Sequence, residues 1–119
     1  MNLSMISVAL ISTLLFLTEQ CGKEEVGEGA PDCVREMIDE ISQQDVWNPP
    51  AKVYSYFYDG KKVYFVPARC CDIRSELYDE NCNLLCAPDG GFSGSGDGNC
   101  ADFFQTRTDE RLVWEDKRK

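Results

Sequence analysis

Lys52-Val53-Tyr54-Ser55-Tyr56-Phe57-Tyr58-Asp59-Gly60-Lys61-Lys62-Val63-Tyr64-Phe65-Val66 decides the fold. Two runs of β-branched and aromatic residues flank Asp59-Gly60, a dipeptide that accepts the positive φ angles of a type I′ turn. A two-residue loop fixes the register, with Tyr56 facing Val63 and Tyr54 facing Phe65. Tyr54, Tyr56, Val63 and Phe65 then share one face, while Val53, Phe57, Tyr64 and Val66 share the other. Both faces are apolar, so neither is a solvent face and a helix is expected to cover one of them.

The cover lies upstream. Cys33, Val34, Met37, Ile38 and Ile41 recur at helical spacing, with Arg35, Glu36, Asp39 and Glu40 opposite. The pattern predicts a helix from about Cys33 to Gln43, with Asp32 as its N-cap behind Pro31. It stops before Asn48-Pro49-Pro50, which cannot continue a helix. Downstream, Ser75–Tyr78 and Asn83–Cys86 flank Asp79-Glu80-Asn81-Cys82 as a second hairpin. Asp102-Phe103-Phe104 starts a short helical turn, and Arg111–Trp114 reads as a last strand. The expected fold is a small α+β domain: one N-terminal helix on an antiparallel sheet of about four strands, stabilised by disulfides.

The 119 residues carry a net charge of −9, seven Cys and no His. The missing imidazole excludes Ser-His-Asp and Cys-His catalysis. The acidity speaks against a nucleic-acid partner, because phosphate contacts need a cationic face. Met5–Leu17 is thirteen residues without a charge, short of the roughly 20 needed to span a bilayer and suited to the core of a secretory signal peptide. Residues 1–20 are therefore read as a signal peptide ending between 20 and 22, with no membrane span after cleavage. Residues 23–30 are read as an acidic flexible leader, 31–116 as one cysteine-rich domain and 117–119 as a basic tail. Retention of a lipidated Cys21 is the alternative to free secretion.

Past Cys21 six cysteines remain: Cys33, Cys70, Cys71, Cys82, Cys86 and Cys100. An even number in an exported chain implies a disulfide framework whose connectivity the sequence does not choose. The neighbours Cys70 and Cys71 are expected to project in different directions and bond different partners. No C-x-x-C pair supports a zinc site instead.

Ala87–Asn99 is a loop with glycine at 90, 91, 94, 96 and 98, bracketed by Cys86 and Cys100. Asp97 follows Gly96 where a phosphate loop needs Lys. Asp89 and Asp97 are hard oxygen donors on a backbone free to wrap an ion, so they are the candidate calcium ligands. The competing reading, favoured on the incomplete ligand pattern, is a tight loop pinned by a cysteine bridge. Asp79, Asn81 and Asn83 alternate as in the opening of an EF-hand, but Leu84 stands where that loop needs Gly. The run Tyr54, Tyr56, Phe57, Tyr58, Tyr64 and Phe65 is read as packing rather than as a binding face.

The stretch Pro31–Asp116 resembles a family of small secreted cysteine-rich proteins and lipoproteins of unknown function, best known from bacteria. Asn48-Pro49-Pro50, Gly60-Lys61, Cys70-Cys71-Asp72, Leu77-Tyr78-Asp79, Cys82 and Cys86 carry the resemblance. So do Pro88-Asp89-Gly90-Gly91, Gly96-Asp97-Gly98, Cys100, Asp102-Phe103 and Trp114. The resemblance implies a self-contained extracytoplasmic domain with the glycine loop as a defining element. It supplies no activity.

The expected function is a secreted, non-enzymatic binding or structural module. It would present an acidic surface and the Asp89–Asn99 loop to an extracellular partner or matrix, including a mineral matrix, with calcium as the one cofactor in view. The alternatives are a peptidase inhibitor using the glycine loop, which five glycines would leave floppy, and a membrane-anchored lipoprotein. An enzyme pairing Asp89 with Asp97 has no support in the spacing.

Overall fold

A computed structural model describes residues 25–118; the signal-peptide reading and Cys21 lie outside them. Helix α1 (Asp32–Ser42) precedes strands β1 (Lys52–Tyr58), β2 (Lys61–Val66), β3 (Glu76–Tyr78) and β4 (Leu84–Cys86). A short helix α2 (Phe103–Thr106) and strand β5 (Thr108–Glu115) follow. All neighbouring strands are antiparallel, in the order β4-β3-β2-β1-β5.

The central hairpin has the register its turn demands. Tyr56 pairs with Val63 and Tyr54 with Phe65, and Asp59 and Gly60 take φ of 51° and 74°. The sheet has five strands rather than about four. The last strand, β5, begins earlier than the expected Arg111 and lies outside β1; its first half, Thr108-Asp109-Glu110-Arg111, is polar because it faces water on an open edge. Two register shifts against β1 and a positive φ at Asp109 distort that edge. Distortion and charge together discourage pairing with other chains.

The two apolar faces have different covers. Val34, Ile38 and Ile41 of α1 bury themselves against Val53, Tyr64, Val66, Val113 and Trp114. Each fully buried aliphatic side chain contributes about 1.5–3 kcal/mol. On the other face Tyr56, Val63, Phe65 and Leu77 pack against Cys86, Cys100 and Phe103. Phe103 meets Tyr56 edge-on at 5.4 Å between ring centroids and Tyr58 at 5.2 Å. Tyr54, Tyr56, Tyr58 and Phe65 of the aromatic run pack on this face and Tyr64 on the helix side, whereas Phe57 is exposed. The run's polar tips reach outward: Tyr56 donates to Glu110 at 2.6 Å and Tyr58 to Asp102 at 2.6 Å. The bond to Asp102 pushes the Tyr58 phenol up to about 12. Burial, then the bond to Glu110, raises Tyr56.

One detail, the N-cap, departs from the sequence expectation, and two contacts at the ends of the described chain add to it. The N-cap of α1 is Pro31, whose carbonyl accepts from Val34 and Arg35, and Asp32 opens the first turn without a capping side-chain bond. Proline at φ −58° presets the entry, and Asp32 favours the positive end of the helix dipole. The described part of the leader is tied to the domain: Gly27 N–H donates to Val113 at 2.8 Å, and Val26 packs on the helix-side core. The basic tail is tied as well. Arg118 donates to the carbonyls of Ser42 and Gln44 at 2.9 Å and pairs with Asp116, whose side chain is fully buried. A cation at the C-terminal end of α1 satisfies carbonyls that the helix itself leaves open.

Candidate functional site: the bridged glycine loop

Three bridges occur among the described residues: Cys33–Cys82, Cys86–Cys100 and Cys70–Cys71. The first ties the opening turn of α1 to the β3–β4 turn. That turn is shaped by Asp79, whose carboxylate accepts from the N–H groups of Asn81 and Asn83, both at 2.9 Å. These bonds, led by Asn83, hold the Asp79 carboxyl below its ordinary range. The alternating Asp79, Asn81 and Asn83 thus build a turn. The third bridge corrects the expectation that the adjacent cysteines take separate partners. The turn Arg69–Ile73 folds both onto one side, their Cα atoms 2.9 Å apart.

The second bridge closes the glycine loop at its neck. Immediately inside it, Asp97 N–H donates to the Ala87 carbonyl at 2.9 Å, and Ala87 N–H donates to the Asp97 carboxylate at 3.0 Å. The other Asp97 oxygen accepts from Asn99 N–H at 2.9 Å. The N–H groups of Asn99 and Ala87 hold this carboxyl below its ordinary range. Asp89 is fastened to Ser75, which is fully buried at the start of the second hairpin. Ser75 N–H and hydroxyl both reach the Asp89 carbonyl, at 3.0 and 3.1 Å, and Asp89 N–H donates back to the hydroxyl at 3.0 Å.

Further out, Gly96 N–H donates to Gly90, Gly90 N–H to Gly94, and Gly94 N–H to Gly91. Five glycines therefore do not make this segment floppy: it is the tight loop pinned by a cysteine bridge that the sequence favoured, with the bridge at Cys86–Cys100. Glycine is needed where chain meets chain at positive φ. At Gly96 (φ 67°) a Cβ would overlap the Ala87 carbonyl oxygen, so the crossing strands can approach only without a side chain.

The product is a closed, uncharged tip, Gly90–Gly96, carrying Phe92 at 95 % exposure. Sequence reasoning singled out the aspartates and passed over Phe92. Its signal was a lone large apolar residue in a Gly-Ser-Asp segment, with no periodic partner to pack on.

The candidate calcium ligands Asp89 and Asp97 have different surroundings. Both Asp97 oxygens accept main-chain N–H groups, and Asp89 Oδ1 is buried without a hydrogen-bond partner among the described residues. No cluster of three or more acidic or cysteine groups suited to a metal occurs among the described residues. No chemistry is assigned to an ion at these residues. No helix among the described residues is long and apolar enough to cross a membrane.

Fold and bridges define a small disulfide-linked α+β domain that displays a locked loop. The chain belongs to the family described as a domain of unknown function, DUF6970, whose model matches residues 39–116. The match takes in the whole sheet and all of the glycine loop. Neither a curated protein nor a solved structure matches the chain.

Proposed function

We propose that this chain is an exported, non-enzymatic binding module whose recognition element is the bridged glycine loop. The observation that carries the reading is Phe92, almost wholly exposed on a tip whose backbone is hydrogen-bonded to itself and to the body. A single exposed apolar side chain is by itself ordinary on a protein surface. Here a disulfide, a buried serine and an aspartate all serve to hold the segment that carries one. A rigid aromatic anchor loses little conformational entropy on docking, which is how preorganised loops gain affinity.

Export is supported by the apolar run Met5–Leu17 and by bridges that persist only in an oxidising compartment. The acidic surface would steer the module toward basic partners or matrix. The peptidase-inhibitor alternative is weaker, because the tip is a closed turn whose Gly90, Gly94 and Gly96 N–H groups bond within the loop. It offers no extended segment for a protease cleft.

The test compares the parent with Phe92→Ala for retention on the extracellular matrix fraction of the source cells. Retention that falls at least tenfold at unchanged melting temperature supports the reading. Equal retention of both proteins contradicts it.

A further inference from the structure

The Cys70–Cys71 bridge differs from the other two in what it does for the chain. Cys33–Cys82 and Cys86–Cys100 join residues 49 and 14 positions apart. Each removes loop-closure entropy from the unfolded chain. Cys70 and Cys71 are neighbours, so their bridge closes no loop and restrains nothing beyond its own turn. Its position differs too. Cys86 and Cys100 are buried in the sheet core, whereas Cys70 and Cys71 are both exposed, at the outside of the Arg69–Ile73 turn.

The surroundings suit an approaching thiolate. In a chain of net charge −9, Arg69 and Arg74 flank this turn in sequence, with Asp72 as its one acid, and the Arg74 side chain lies against Gly91. The Arg69 guanidinium is stacked on Trp47, 3.4 Å from the ring centroid. Cys70 N–H donates to the Asn48 carbonyl at 2.7 Å, which fixes the turn against the Trp47–Pro50 segment. There a hollow of about 260 Å³ opens, lined by Trp47, Pro49, Pro50, Tyr54, Pro67 and Ala68. It offers a partner's side chain a seat near the turn, lined by Lys52 as well as by these groups.

We propose that Cys70–Cys71 is a thiol–disulfide exchange site whose substrate is a dithiol reductant. One thiolate of the dithiol attacks one Sγ; a mixed disulfide forms as the Cys70–Cys71 bond breaks, and the released thiolate takes a proton. The second thiol of the reductant then attacks the mixed disulfide, freeing the other cysteine. Two electrons pass from the dithiol, which becomes a disulfide, to the protein, which becomes a vicinal dithiol. Exposed bridges exchange readily, whereas buried structural bridges resist.

The experiment uses the oxidised full chain, a dithiothreitol series, a quench with N-ethylmaleimide, and peptide mass mapping. The expected result is maleimide on Cys70 and Cys71 at reductant concentrations at least tenfold below those that label Cys33, Cys82, Cys86 or Cys100. Circular dichroism stays unchanged, and oxidised glutathione restores the bridge. Three results would overturn the proposal. All six cysteines could open together, a buried bridge could open first, or Cys70 and Cys71 could be labelled before any reductant is added.

Discussion

The glycine loop and the Arg69–Ile73 turn are both exposed connections that carry a disulfide, and they use it in opposite ways. In the loop the bridge sits at the neck, buried at Cys86 and Cys100, and everything outside it is held by hydrogen bonds to Ala87, Ser75 and Gly90. In the turn the bridge sits at the outer surface and holds only itself. One sulfur pair fixes a shape for display; the other is presented as the reactive group. What separates them is the length of chain each encloses and the burial of its sulfurs.

Removing bridges pairwise tests that separation, and the effects rank by enclosed chain. Replacing Cys33 and Cys82 by Ala lowers unfolding stability by about 4 kcal/mol on loop-closure entropy, read from urea melts. The same change at Cys86 and Cys100 costs about 3 kcal/mol. Replacing Cys70 and Cys71 by Ser costs within about 0.5 kcal/mol, as for ordinary surface substitutions. An equal loss at all three pairs breaks the comparison.

The loop's close crossing sharpens it. Gly96→Ala puts a Cβ into the Ala87 carbonyl at positive φ, whereas Gly94→Ala meets open space at φ 78°. Gly94→Ala costs about 1–2 kcal/mol from backbone conformation alone, and Gly96→Ala lowers the melting temperature distinctly further.

Arg118→Ala removes hydrogen bonds to α1 and leaves Asp116 buried without its cation, a loss of about 2 kcal/mol. Arg118 holds the Asp116 carboxyl below its ordinary range, so the pair's contribution is present above the unfolded value near pH 4 and lost as pH falls below it. Between pH 6 and pH 3 the parent therefore loses more stability than Arg118→Ala. The smallest effect belongs to Phe92→Ala, which leaves the melting temperature unchanged because the ring touches almost nothing.

Much of the fold was legible because it rests on local chemistry. Asp59-Gly60 set the hairpin register, and the spacing of Val34, Ile38 and Ile41 set the helix face. What was not legible depends on contacts between residues far apart in the chain. The first half of β5 reads as a polar loop because its pairing to β1 leaves its side chains in water. Arg118 caps a helix more than seventy residues upstream. The rigidity of the glycine loop comes from Ser75 and from Asp97's bonds to Ala87, while glycine content alone argues for mobility. The pairing of Cys70 with Cys71 follows from the turn, which the two letters do not reveal.

The account stands on the glycine loop being a fixed display rather than a mobile connection. Backbone amide order parameters for residues 87–99 of the oxidised protein test this directly. The account predicts values near about 0.85 through Asp97, matching the sheet, with only the Phe92 ring mobile. Values below about 0.6 across Gly90–Gly96 would contradict it.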